Sequence, residues 1–337
     1  MKRRETALAA RMAPVILALF LATLSRADPI QTYLALGDSI AFGVTDFTPV
    51  SFGDQGYVSL YADFLATQEN GIRPNVVNLA VPGETSTGFF TAVSPLGLPP
   101  HDLLTSVNLN YHGDSSLSQD ALLLNTLAAE TAVGRTITDV SFAIGSNDVT
   151  AFLALYPDFL SLPSDQQQEL ISAFFDVLAG NYVSVLSQVR AALPDARLLL
   201  LNYYNPFGTF PPDDPFNIAN TIFDQGQTSL ITELAGPFDA TVVDINTPFR
   251  GHENELTFIA SGGVHPTPQG YAVIAQQMAL ATTPEPSSIA LLGGCLGALA
   301  IMMRRKRRVV SGVYPWQKTA PLPDHSTLST SRSADRR

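Results

Sequence analysis

The 337-residue chain carries 19 Lys and Arg against 30 Asp and Glu, a formal charge of −11, with 46% hydrophobic residues. Its basic residues gather at the two ends: between Asp28 and Thr283 there are five, all arginine, against 26 acidic ones, a balance of −21. Such a surface repels phosphate, which excludes nucleic acid and anionic membrane as partners of the middle of the chain; the single cysteine, Cys295, excludes a disulfide framework there.

Lys2, Arg3, Arg4 and Arg11 flank an apolar run from Ala13 to Leu24, and Ser25-Arg26-Ala27 follows. The positive start, short apolar stretch and small residues near the end predict a signal peptide over 1–27, cut by signal peptidase after Ala27. The run is short for a bilayer, and a buried N-terminal helix, the alternative, would leave those charges on the wrong side of its core pattern. About 255 residues follow, enough for one domain, 28–282, held by its own core.

Within that domain short, nearly continuous apolar runs alternate with longer helical patterns. Strands are predicted at Thr32–Leu36, Asn75–Leu79, Asp139–Ile144, Arg197–Leu201 and Thr241–Ile245, and their unbroken apolar character fits parallel strands covered on both faces. Helices are predicted at Tyr57–Thr67, Leu117–Val133, Gln167–Ala192, Phe216–Leu234 and Pro268–Ala281. In the third, Ile171, Phe174, Phe175, Leu178, Tyr182, Val185, Leu186 and Val189 recur at three-and-four spacing, a stripe for packing against a core. Alternating strands and helices predict an α/β sandwich around a parallel sheet. Residues 90–116 and 203–215, rich in Pro, Gly, Asn and Asp, read as surface loops. Neither an internal repeat nor a second domain boundary is visible.

Four unusual clusters each follow a predicted strand: Gly37-Asp38-Ser39 after the first, Pro82-Gly83-Glu84-Thr85 after the second, Gly145-Ser146-Asn147-Asp148 after the third and His265-Pro266 after the fifth. In a parallel α/β sheet, sites form at the carboxyl ends of the strands, near the point where strand order reverses. With the order 2-1-3-4-5, Ser39 and Asn147 flank that point. Ser39 alone is equally an ordinary helix N-cap; the convergence of the other clusters makes it a candidate nucleophile.

In these blocks the chain resembles the GDSL, or SGNH, family of esterases and lipases, whose motifs centre on a Ser, a Gly, an Asn and a His: here Ser39 in Gly-Asp-Ser, Gly83 in the Pro-Gly turn, Asn147 in Gly-Ser-Asn-Asp and His265 in Val-His-Pro. The resemblance implies the SGNH hydrolase fold, a flavodoxin-like three-layer α/β/α sandwich with a five-stranded parallel sheet. It further implies cofactor-free, metal-free hydrolysis of a carboxylic ester. Ser39 would attack the carbonyl, with His265 taking its proton and returning it to the leaving alcohol. The backbone N–H groups of Ser39 and Gly83 and the side-chain amide of Asn147 would form the oxyanion hole. Asp38 and Asp148 read as structural groups bonding the loops that aim the site, and Phe42 and Gly43 as packing residues.

One position departs from the pattern. The family usually places an Asp three residues before the His, where it orients the imidazole and stabilises its cation; here that residue is Gly262. A Ser-His dyad, an acid from elsewhere and a weakened enzyme are the three explanations. Glu253 and Glu255 are the candidate substitute acids, with Asp244 judged too deep. Other patterns fail: His252-Glu253-Asn254-Glu255-Leu256 lacks the second His of a zinc-protease helix, no Gly-x-Ser-x-Gly elbow surrounds Ser39, and His101 and His112 read as solvent-exposed loop residues.

At the other end, Pro284-Glu285-Pro286 precedes an apolar run, Ile289 to Met303, and Arg304-Arg305-Lys306-Arg307-Arg308. An apolar stretch backed by a basic cluster is a stop-transfer pattern, and box, spacing and basic end together resemble the PEP-CTERM sorting signal of Gram-negative bacteria, over 283–308. The resemblance implies export, a transient membrane anchor through the C-terminal helix, cleavage by an exosortase near Pro284–Pro286 and release to the cell surface or extracellular matrix. Such signals usually end the protein, whereas here a polar tail, 309–337, of disordered composition follows. The sequence therefore predicts an exported serine esterase acting on an acyl lipid, an acetylated polysaccharide or a small ester. Its rival is a surface or matrix binding protein that kept the fold and lost turnover at Gly262.

Overall fold

A computed structural model of the chain describes residues 31–45, 56–92 and 116–283. The chain divides into two units after Thr283, and the described residues all belong to the first. The predicted signal peptide, the segment from Pro284 through the 309–337 tail, His101, His112 and most of the 90–116 loop lie outside the described residues.

Strand β1 (Gln31–Gly37) runs into a four-residue helix, α1 (Ser39–Phe42), followed by α2 (Gly56–Gln68), β2 (Asn75–Asn78), α3 (Gln119–Ala132), β3 (Thr136–Ala143), α4 (Ser146–Leu155) and α5 (Ser164–Ala192). Then come β4 (Arg197–Leu201), α6 (Pro215–Ala235), β5 (Ala240–Val243), α7 (Asn246–Phe249), α8 (Glu253–Leu256) and α9 (Pro268–Thr282). The five strands are parallel in the order β2-β1-β3-β4-β5, as predicted. Because side chains alternate across a strand, β1 sends Tyr33 and Ala35 into one core and Leu34 and Leu36 into the other, and β4 divides Leu199 and Leu201 from Leu198 and Leu200 in the same way. This is why the strands read as unbroken apolar runs.

The first core is closed by Tyr57, Val58, Tyr61, Ala62 and Leu65 of α2 and by Tyr271, Ile274, Ala275 and Met278 of α9. The second is closed by Leu122 and Leu123 of α3, Ile231 of α6 and the predicted stripe of α5 from Leu178 to Val189. By length and composition α5 is apolar enough to cross a membrane, but that stripe is buried on the sheet. The beginning of the stripe also serves a second cluster: Phe174 and Phe175, which pack against this core, meet Phe223 in a third, aromatic cluster with Phe152 and Phe159, where Phe152 lies 4.9 Å from Phe223 and 5.5 Å from Phe174 between ring centroids. Edge-to-face rings at these spacings add about 0.5–1.5 kcal/mol per pair beyond burial. They fix α4, a helix that sequence periodicity does not reveal because only Val149 and Phe152 of its ten residues are buried.

Two readings are corrected. Residues 203–215 are not simply a surface loop: Tyr203 and Tyr204 are buried, with Tyr204 stacked 4.4 Å from Phe249 and the Tyr203 hydroxyl donating to Asn220 Oδ1 at 2.6 Å. Asp244 is not deep: β5 ends at Val243, Asp244 turns to the surface, and its carboxylate accepts from the Asn202 amide and the N–H groups of Asn246 and Thr247.

Candidate active site

The clusters after β1, β2 and β3 and the loop before α9 meet at the carboxyl edge of the sheet. Gly37 ends β1 with φ +138°, and a Cβ there would lie 2.0 Å from the Ala143 carbonyl oxygen, so only glycine lets the ends of β1 and β3 approach this closely. The Gln119 side chain clamps the same residue, accepting from Gly37 N–H at 2.7 Å and donating to its carbonyl at 2.9 Å. Asp38, not Ser39, is the N-cap of α1: its Oδ1 accepts from Ile40 N–H at 2.9 Å. The cap reading of Ser39 is thereby removed, and its hydroxyl lies 2.9 Å from His265 Nε2.

Three of the clusters are cross-linked by two carboxylates, Asp38 buried and Asp148 half-buried. Asp38 Oδ2 accepts from Ser146 Oγ at 2.6 Å, and Asp148 accepts from both the N–H (2.8 Å) and the hydroxyl (2.6 Å) of Ser86. Burial pushes both acids up to about 6 against those hydrogen bonds. Asn147 donates to the Glu84 carbonyl at 3.0 Å and, at a long 3.4 Å, to Asp38 Oδ2. The backbone N–H groups of Ser39 and Gly83 have no acceptor among the described residues, and both residues line the same cleft as Asn147 and His265. Two N–H groups and an amide without a close second acceptor are the donors an oxyanion needs.

Among the described residues, the one hydrogen bond of the His265 ring is that to Ser39. Burial alone pulls its imidazole down to about 4, with no charged neighbour contributing. Gly262 caps the 3₁₀ turn Ile259–Ser261 at φ +87°, exposed, with nothing within 4 Å of where a Cβ would stand. Neither candidate substitute acid comes within ion-pair distance of the ring. Glu253 is buried under Gly208, one oxygen accepting from Gly251 N–H at 3.0 Å and the other without a partner among the described residues. Glu255 turns outward to His252, 3.6 Å from its Nδ1, both side chains being more than half exposed. Sequence reasoning had no means to find Gln119, which lies 82 residues from the glycine it clamps.

The Ser39–His265 pair opens into a cleft of about 670 Å³ whose other walls include Val149, Leu153, Tyr204, Phe207, Phe216 and Val264. A neutral imidazole facing a serine hydroxyl, beside convergent donors and above an apolar trough, is equipped to accept a proton and support acyl transfer.

The GDSL-like Lipase/Acylhydrolase family model matches residues 35–273. The chain belongs to this family. The PEP-CTERM protein-sorting motif matches residues 282–308, beyond the GDSL-like domain. Among solved structures, the lipase Lip_vut3 from a goat rumen metagenome is similar at 19% identity and a TM-score of 0.50, covering 75% of this chain and 97% of its own; at that identity it supports the fold. Axe2, an acetylxylan esterase from Geobacillus stearothermophilus, aligns at 18% identity and TM-score 0.46 over 75% of this chain and 94% of its own. LAE5, an alpha/beta hydrolase enzyme from the metagenome of Lake Arreo, Spain, aligns at 16% and 0.45 over 74% and 94%. No curated protein matches the chain. The GDSL-like domain thus has the five-stranded parallel α/β architecture of SGNH hydrolases.

Proposed function

We propose that this GDSL-family protein is an exported serine esterase that hydrolyses carboxylic esters bearing an apolar acyl chain. Ser39 is the nucleophile, His265 the general base and then general acid, and the donors of Ser39, Gly83 and Asn147 receive the oxyanion. The observation that carries this reading is the 2.9 Å contact between Ser39 Oγ and His265 Nε2, both of which line the cleft. The apolar walls favour an acyl chain of several carbons over acetyl, because each methylene moved from water into such a trough contributes about 0.8 kcal/mol. The sorting motif supports cleavage by an exosortase after export and delivery to the cell surface or matrix.

The purified protein is expected to hydrolyse p-nitrophenyl butyrate and octanoate faster than acetate, and a fluorophosphonate probe to label Ser39. Ser39→Ala should abolish both signals; equal hydrolysis by the two proteins would remove the esterase reading. Acetate as the best substrate would keep the enzyme and overturn the acyl preference. A second reading, a binding protein that has lost turnover, is favoured by one observation: among the described residues no carboxylate stands beside His265. It predicts acyl-chain binding to the cleft with no labelling by the probe.

A further inference from the structure

The triad position that Gly262 leaves empty raises the question of what holds the His265 ring in line with Ser39. The backbone places the Cα–Cβ bond and limits which side-chain rotamers are allowed, and it is constrained when both flanking peptide planes are hydrogen-bonded. On the C-terminal side, the His265 carbonyl accepts from Phe258 N–H at 3.0 Å, within a two-residue antiparallel bridge that pairs Thr257 with Pro266; Thr267 N–H donating to Leu256 at 2.8 Å extends it. On the N-terminal side, the Val264 carbonyl, in the peptide plane that also holds His265 N–H, accepts from the Tyr204 hydroxyl at 2.7 Å. Tyr204 is itself buried, 2% exposed and stacked on Phe249 at 22° between ring planes. Its burial, with Tyr203 and Asp38 nearby, raises the phenol well above its ordinary value, so the hydroxyl stays a donor throughout the working pH range.

We propose that Tyr204 is a positioning residue for the reaction: through the Val264 carbonyl it fixes the backbone of His265 and supplies the orienting half of the work that an acidic triad member performs elsewhere. The inference rests on the reading of His265 as the general base. Orientation is all that this arrangement supplies. A carbonyl held by a tyrosine places no charge near the ring, in keeping with an imidazole perturbed by burial alone.

Tyr204→Phe tests it, because the ring stays on Phe249 and only the hydroxyl is lost. The variant is expected to melt cooperatively near the wild-type temperature, with kcat for p-nitrophenyl butyrate about 2- to 13-fold lower and KM within about twofold, the size of effect of one lost charge-neutral hydrogen bond on a reacting geometry. A loosened loop also lets water reach the ring. The acid limb of kcat/KM, and the NMR titration of His265 among the five histidines of the chain, should therefore move upward from about 4. Tyr203→Phe, which removes a neighbouring hydroxyl bonded to Asn220 rather than to the histidine loop, should leave the titration where it is. Unchanged kcat and unchanged titration in Tyr204→Phe would overturn the proposal, as would an equal titration shift in Tyr203→Phe. If His265→Ala itself kept full activity, the reading of His265 as base would fail first, and the two failures are thus distinct.

Discussion

Protonating His265 is the sharpest perturbation the site offers. An imidazole at about 4 instead of the ordinary 6.5 disfavours its cation by about 3.4 kcal/mol, at 1.36 kcal/mol per unit. The free enzyme's base should then remain neutral far into acid. At pH 5 about 90% of an imidazole titrating at 4 is unprotonated, whereas one titrating at 6.5 would be about 3% so. The profile of kcat/KM against pH, which reports the free enzyme's essential groups, is expected to be flat from pH 8 to about 5 and to fall with a midpoint near 4. The assay is hydrolysis of p-nitrophenyl butyrate by the intact protein, read at the isosbestic wavelength of p-nitrophenol, in buffers of constant ionic strength. A midpoint at 6.5 or above would refute the reasoning, since it would require either a hydrated ring or a carboxylate beside it.

Three further outcomes follow from the same contacts. Gly262→Asp should fold with a loss of about 1–2 kcal/mol for a side chain at positive φ, as no atom stands in its way, and should move the acid limb upward from about 4 by placing a carboxylate near the base; a limb that stays put would show that position 262 does not serve the ring. Stability should rise between pH 7.5 and about 5: Asp38 and Asp148, raised from 3.8 to about 6, each give up to about 3 kcal/mol that is present below 3.8 and lost as pH rises through 6. His265, lowered instead, contributes stability above 6.5 that is lost as pH falls through 4, so the two acids outweigh it; a melting temperature that falls steadily from pH 7.5 to 5 would contradict this. Gly37→Ala should cost more than about 3 kcal/mol and abolish hydrolysis, because its methyl would overlap the Ala143 carbonyl at 2.0 Å; a wild-type melt would show that β1 and β3 can separate.

The sheet was legible because its strands are buried on both faces and therefore spell themselves as apolar runs, and the order β2-β1-β3-β4-β5 put the Ser39, Gly83, Asn147 and His265 blocks on one edge. What failed to show were features whose cause lies far away in the chain. Helix α4 owes its place to aromatic rings of α5 and α6, Gln119 reaches Gly37 across 82 positions, and Tyr204 lies in a segment whose Pro, Gly and Asn content reads as surface. Glu253 and Glu255 were chosen for proximity in sequence. Backbone geometry then sent one carboxylate under Gly208 and the other out to His252. Asp244 failed for the opposite reason: Ile245 N–H bonds the Asn202 side chain at 2.8 Å instead of continuing the ladder, and the strand ends before the acid.

The empty position at Gly262 separates two tasks that one carboxylate usually performs together. Orientation can be delegated in part to the backbone, because hydrogen bonds to the peptide planes on either side of His265 constrain the direction in which its side chain leaves the chain. Stabilising the imidazolium cannot be delegated that way, since it needs charge. The consequence is asymmetric along the reaction. A base with so low a proton affinity is slow to take the Ser39 proton, while the imidazolium it becomes is a strong acid that readily protonates the departing alcohol. With His265 as the proposed base, the difficult step is the attack on the carbonyl, and in that step the proposed oxyanion donors of Ser39, Gly83 and Asn147 carry the larger share of transition-state stabilisation.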